Sequence, residues 1–280
     1  MVIKKHKNKN NYYLHNNLFI RDLTKDLSTP IDINNFYTDK DYSILLDNEN
    51  NNLYKRYPYW ENSFINYDKA IIVSDGLDFN IMHHKLSVIQ KNVCIFAVNG
   101  ALKKWQLVGK NCPDDKKRSI EFYVANNPYE ECCWFLPKEH SYYPRMIAST
   151  RTNSIFMNRY LGLKYLYVPA NIGTYSGSSY IGINRIDDYR NPICACLSIC
   201  YFSNIKQITI LFCDDSFKTK KPGSIQLEND LFCYPQQITS SELVDGMCYW
   251  LSKVGIKIFY NSSGPKMKYA EYINLEDVIK

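Results

Sequence analysis

The chain has 280 residues, 45% hydrophobic and 22% charged, a balance that excludes disordered and fibrous classes and leaves room for a sizeable core. No apolar run approaches the roughly 18 residues of a membrane-spanning helix, so no membrane is expected among its partners. The net charge of +6 is modest and sits in small lysine-rich clusters around Lys4–Lys9, Lys116–Arg118 and Lys218–Lys221; no basic helix or recognition motif accompanies them, and nucleic acid is not expected as a partner.

Residues 1–65 show no α/β rhythm and read as an N-terminal extension, partly irregular, with short helical turns near Leu23–Leu27 and Tyr42–Leu46 and breakers at Pro30 and Pro58. The basic N-terminus lacks a secretory apolar core, so a cytoplasmic location is the expectation. The ten cysteines contain no CxxC pair; they read as reduced thiols rather than zinc ligands or disulfides.

From residue 66 to 280 strands and helices alternate. Strands are predicted at 70–74, 93–98, 120–125, 145–149, 165–168, 207–213 and 256–260; the runs Ala70–Ser74 and Ile208–Cys213 lack the alternation of a half-exposed strand and read as buried on both faces. Helices are predicted at 79–90, 101–108, 154–161 and 193–202, the last capped by Asn191 and opened by Pro192. A long polar loop over 218–238 precedes a helix opened by the capping box Thr239-Ser-Ser-Glu242. This order predicts a Rossmann-like, doubly wound and mostly parallel sheet.

In such sheets ligands bind past the carboxyl ends of the strands. Two apolar strands there end in acid. Asp75-Gly76 follows Ala70–Ser74, where Gly76 would let a phosphate approach the backbone; the alternative is a tight turn that simply needs glycine. Asp214 and Asp215 follow Ile208–Cys213, and adjacent carboxylates on a buried strand's end need a cation or donors, Mg²⁺ bridging a diphosphate being one solution. The alternative there is a turn cap beside a solvated acid. Asn126 and Asn127 would orient a polar ligand or close an Asx turn. Arg151 and Thr152 suit phosphate geometry, with a structural ion pair as the alternative. Ser176, Gly177 and Ser178 form a small-residue loop able to wrap a ligand or to serve as a plain connection. His83 and His84 point to different helix faces and make no metal pair. Neither a GxSxG elbow nor a Cys–His arrangement is present, which disfavours covalent hydrolysis.

The order of these segments resembles a known family. Ile95-Phe-Ala-Val-Asn-Gly-Ala-Leu102, the Gly/Ser-rich loop before an apolar helix, and Ile205 to Phe217 with its Asp-Asp resemble the archaeal 6-hydroxymethylpterin diphosphokinase-like family. Related domains occur in bacterial flagellin-modifying glycosyltransferases, and a similar layout in some bacterial sialyltransferases. The chain departs from the family at the first turn, Asp75-Gly-Leu-Asp78 in place of Gly-Pro-Ser-Leu. The resemblance implies a transferase acting on a small phosphate-bearing substrate. The leading expectation is transfer of diphosphate from ATP to a pterin-like alcohol. Asp214 and Asp215 would then hold Mg²⁺, Asp75, Gly76 and Arg151 would meet phosphates, and Asn99 with Asn126 and Asn127 would position the acceptor. A glycosyltransferase using a nucleotide sugar is the first alternative and a non-catalytic binding protein the second. Self-association stays open.

Overall fold

The computed structural model describes residues 39–61, 65–76, 79, 92–109, 119–137, 143–169, 185–189, 191–213, 225–226, 232–233, 235–262 and 266–279. Its elements are α1 (Asp39–Tyr54), β1 (Lys69–Val73), β2 (Val93–Val98), α2 (Ala101–Gly109), β3 (Phe122–Ala125), a 3₁₀ turn (Glu130–Phe135), β4 (Arg145–Ser149), α3 (Ser154–Arg159), β5 (Lys164–Pro169), β6 (Arg185–Ile186), α4 (Pro192–Phe202), β7 (Gln207–Leu211), β8 (Ile225–Gln226), β9 (Phe232–Cys233), α5 (Pro235–Lys253), β10 (Lys257–Asn261), β11 (Glu271–Tyr272) and α6 (Leu275–Ile279).

Nine strands form one sheet in the order β11-β10-β7-β1-β2-β3-β4-β5-β6, and every pairing in it is parallel. The Rossmann-like α/β fold read from the sequence is the fold observed. Strands buried on both faces have no use for alternation, and β2 is buried at all six of its positions. One apolar layer joins the sheet to α4 and α5 through Ile193, Leu197, Val244 and Leu251. The opposite layer joins it to α2, α3 and α6 through Leu102, Phe156 and Leu275. Because α4 is sandwiched, it is apolar all round, and Ile193 through Cys200 are all buried. Asn191 caps it as expected, its Oδ1 accepting the Ile193 N–H at 2.8 Å.

From β1 the chain steps outward through β2 to β6, then returns to lay β7 on the other side of β1. The two acid-tipped strands are therefore neighbours, with Val73 opposite Leu211. The topological switch point lies between their carboxyl ends, the place where open α/β sheets form a crevice.

Four expectations needed correction. The helical turn near 42–46 is part of a 16-residue helix, α1. The polar loop over 218–238 carries a two-stranded antiparallel hairpin, β8–β9. Helix α5 starts at Pro235, so Thr239 lies inside it and not at its cap. The two-residue strands β6 and β11 extend the sheet at both edges. The expected turn at 23–27 and helix at 79–90 fall outside the described residues, apart from Phe79.

Candidate functional site

At the switch point the exits of β1 and β7 are stitched together. The Ser74 N–H donates to the Leu211 carbonyl at 3.0 Å and the Gly76 N–H to the Phe212 carbonyl at 2.9 Å. The Phe79 ring meets Phe212 edge-on at 5.6 Å. Phe212 takes a φ of 56°, and Asn99, just past β2, a φ of 50°. Left-handed backbone in non-glycine residues costs energy and collects at sites where function requires it.

Asp75 turns its carboxylate to the start of α2, where it accepts the Gly100 N–H. A Cβ on Gly100 would overlap Asp75 Oδ2, so glycine alone lets the carboxylate in. Lys104 Nζ donates to the Asp75 carbonyl at 2.6 Å. Burial pushes the Asp75 carboxyl above its ordinary range, while Lys104 and the backbone N–H groups pull the other way. The N-terminus of a helix is a natural seat for an anion; here the chain supplies its own. The backbone donor expected to cradle phosphate at Gly76 is likewise used within the fold.

Beside this turn lies a cleft of about 190 Å³, lined by Ser74, Asn99, Asn191, Pro192, Ile193, Cys213, Ser240, Ser241, Val244 and Met267. Its polar walls are hydroxyls and amides, and none of these lining residues is charged. Asn191 Nδ2 donates to Ser240 Oγ at 2.7 Å, tying the starts of α4 and α5 together across the cleft.

A second, narrow cavity of about 10 Å³ shares Asn99 and Pro192 with the cleft and brings in Asn126, Asn127 and Thr152. Four of the residues singled out in the sequence, Asn99, Asn126, Asn127 and Thr152, thus meet at the exits of β2, β3 and β4. The Asn127 side chain closes an Asx turn by accepting the Tyr129 N–H at 2.9 Å, and Thr152 Oγ1 donates to the Ala125 carbonyl at 3.0 Å. Tyr123 donates its hydroxyl to the Asn99 carbonyl at 3.0 Å, and burial holds its phenol well above the ordinary value. Arg151 does not join them. Its Nε is paired with Glu49 of α1 at 3.2 Å, both side chains being buried, the arrangement that had been the alternative to phosphate contact. Asp214, Asp215, Ser176, Gly177 and Ser178 lie outside the described residues, as do His83 and His84.

No protein-family model matches the chain, and neither does any curated protein. Among solved structures, it is similar to the MAf glycosyltransferase from Magnetospirillum magneticum AMB-1. The TM-score is 0.63 at 10% identity, over 83% of this chain and 39% of that one. The likeness is one of fold, and this chain spans well under half of that protein's length. A Rossmann-like fold of this kind is what the resemblance seen in the sequence implied. Among the described residues no helix is long and apolar enough to cross a membrane.

Sequence reasoning missed a second acid pair. Asp187 and Asp188 follow β6 and are almost fully buried. Tyr167 donates its hydroxyl to Asp188 Oδ2 at 2.8 Å, and Ser198 of α4 donates to the Asp187 carbonyl at 3.0 Å. Burial, with the Asp188 charge adding to it, pushes the Asp187 carboxyl up to about 7. The signal was present, since Arg185-Ile-Asp-Asp188 repeats in miniature the pattern of an apolar strand ending in acids. A two-residue strand gives it no apolar run to stand on.

Proposed function

We propose that the chain is a glycosyltransferase that uses a nucleotide sugar, bound across the crevice at the exits of β1, β2 and β7. The observation that carries this reading is the set Ser74, Asn99, Asn191 and Ser240 on the walls of the 190 Å³ cleft, whose hydroxyls and amides suit a sugar or nucleoside held by neutral hydrogen bonds. The fold it shares with a glycosyltransferase supports the same reading. Transfer of diphosphate from ATP, the leading expectation from the sequence, needs a triphosphate cradle at the first turn. Asp75 and Phe212 already take the Gly100 and Gly76 N–H groups there, which weighs against it.

In this reading Asp75 is the base. Burial raises its affinity for a proton above that of an ordinary carboxylate, with Lys104 and the backbone N–H groups opposing the rise. It would take the proton of an acceptor hydroxyl as that oxygen bonds to the anomeric carbon. The bond from that carbon to the leaving nucleotide phosphate breaks in the same step. The Gly100 N–H fixes the carboxylate's position, so catalysis comes from orientation and a dry site. Replacing Asp75 by Asn should lower kcat by about 10²–10⁴ and leave KM within a few-fold.

A thermal-shift panel tests the reading at its root. At about 100 times its Kd a true donor adds about 2.7 kcal/mol to stability, a shift of several degrees. UDP-, GDP- or CMP-sugars should give that shift. If only ATP with magnesium does so, and AMP appears when hydroxymethyldihydropterin is added, the diphosphokinase reading replaces this one. If no nucleotide of either kind shifts the melt, a non-catalytic binding protein becomes the better account.

A further inference from the structure

The narrow cavity beside the cleft carries a more specific inference, which rests on the glycosyltransferase reading. Its volume of about 10 Å³ is that of a single water-sized group. Asn126 lines it, and the Asn126 Nδ2 is buried with no acceptor among the described residues. An amide donor buried without a partner is costly, and native folds seldom keep one idle. The neighbouring polar groups are differently placed. Thr152 Oγ1 and the Tyr123 hydroxyl spend their protons on the Ala125 and Asn99 carbonyls, which leaves each of them lone pairs only.

Among the groups lining the cavity, Asn126 therefore holds the buried donor that has no partner, with acceptors at Thr152 and Tyr123. A hydroxyl both accepts and donates, and so satisfies both kinds of wall. Among the described residues no charged side chain lines the cavity, so a phosphate or carboxylate oxygen would be dehydrated there without compensation. An acetamido group is too large for the space. The geometry points to a subsite that takes one unsubstituted hydroxyl of the ligand's sugar, with Asn126 as the residue that reads it. The subsite adjoins the main cleft at Asn99 and Pro192, which line both. It therefore selects a plain hexose over an N-acetylated one at that position.

The test uses the full chain and its Asn126→Leu variant. Binding is measured by calorimetry to UDP-glucose, UDP-N-acetylglucosamine, UDP-galactose, GDP-mannose and CMP-sialic acid, and to monodeoxy analogues of whichever binds. The expected result is one deoxy position that weakens binding to the wild type at least tenfold and leaves binding to Asn126→Leu unchanged. The proposal is overturned if every deoxy analogue binds within twofold of its parent, or if Asn126→Leu binds the parent as the wild type does. If none of these sugars binds, the glycosyltransferase reading falls, and the melting of the free proteins still decides the subsite. An idle donor predicts that Asn126→Leu melts at or above the wild-type temperature. A fall of several degrees would show that the amide is held by a structural water only, and the subsite would fall with it.

Discussion

Gly100 and Asp75 form the tightest residue-scale coupling at the site, because one exists to admit the other. Gly100→Ala should destabilise by about 1–3 kcal/mol through overlap with Asp75 Oδ2. Adding Asp75→Ala should recover most of that loss, so the double-mutant cycle should show strong coupling in urea unfolding; two simply additive losses would mean that the residues are independent. Asp187 leads to a prediction about pH. Its carboxyl is raised from 3.8 to about 7 by burial and by Asp188, so the folded protein holds a proton that the unfolded chain releases. Its stabilising contribution is full below about pH 4 and is lost as pH rises through 7. Among the described residues, Asp188 and the Cys194 thiol act on it, and Tyr167 binds Asp188 in turn. Asp187→Asn should flatten stability between pH 4 and 7 and exceed the wild type at pH 8 by on the order of 3 kcal/mol. Equal slopes for the two proteins over that window would refute the assignment. The sequence showed Asn99, Asn126, Asn127 and Thr152 as strand-exit residues, since each follows an apolar run. It did not show that Arg151 faces Glu49, because that partner lies far away along the chain and on a different element.

Among the elements, α1 was only half shown by the sequence, for a physical reason. Periodicity finds helices by an apolar stripe, but the buried face of α1 includes Asn48, Glu49 and Asn52. These side chains reach the exits of β3 and β4. Asn48 Nδ2 donates to the Pro128 carbonyl at 2.9 Å, and Asn52 Nδ2 donates to the Thr150 and Thr152 carbonyls at 3.0 and 2.7 Å. Asn48 Oδ1 in turn accepts the Ser154 N–H at 3.1 Å. The helix thus satisfies the backbone of the loops that carry Asn126, Asn127 and Thr152, which a short parallel strand leaves unpaired at its exit. Removing one partner of a buried ion pair costs about 3–5 kcal/mol because the other charge stays buried. Glu49→Ala should pay that cost, and Glu49→Ala with Arg151→Met should regain most of it. Hydrogen exchange over residues 149–154 should rise in the single variant; unchanged exchange there would detach α1 from the site. The strands were far easier to read. Burial on both faces leaves unbroken apolar runs, whereas β6 and β11, with two residues each, leave none.

At the scale of the molecule, the sheet order decides where stability and binding coincide. The central strands β7, β1, β2 and β3 have neighbours on both sides and helices on both faces, so their amides open only when the whole domain does. The edge strands β6 and β11 are two residues long and paired on one side only, which keeps them short as edges should be. Native-state hydrogen exchange should therefore be slowest in 70–73, 94–98 and 208–211 and fastest in 185–186 and 271–272. The free energy of opening for the first group should match the global unfolding energy from denaturant. A bound nucleotide sugar should raise the free energy of global opening and slow the central amides along the whole of each strand, with added local protection at residues 74–76, 99–101 and 191–193 around the crevice. That added protection follows from topology alone, because the chain reverses its direction of winding between β1 and β7 and opens the crevice at one end only. Global slowing with no added protection at those three segments would mean that the ligand stabilises the fold without sitting in the crevice. The meeting of Asn99 and Asn126 beside the crevice would then lose its functional meaning.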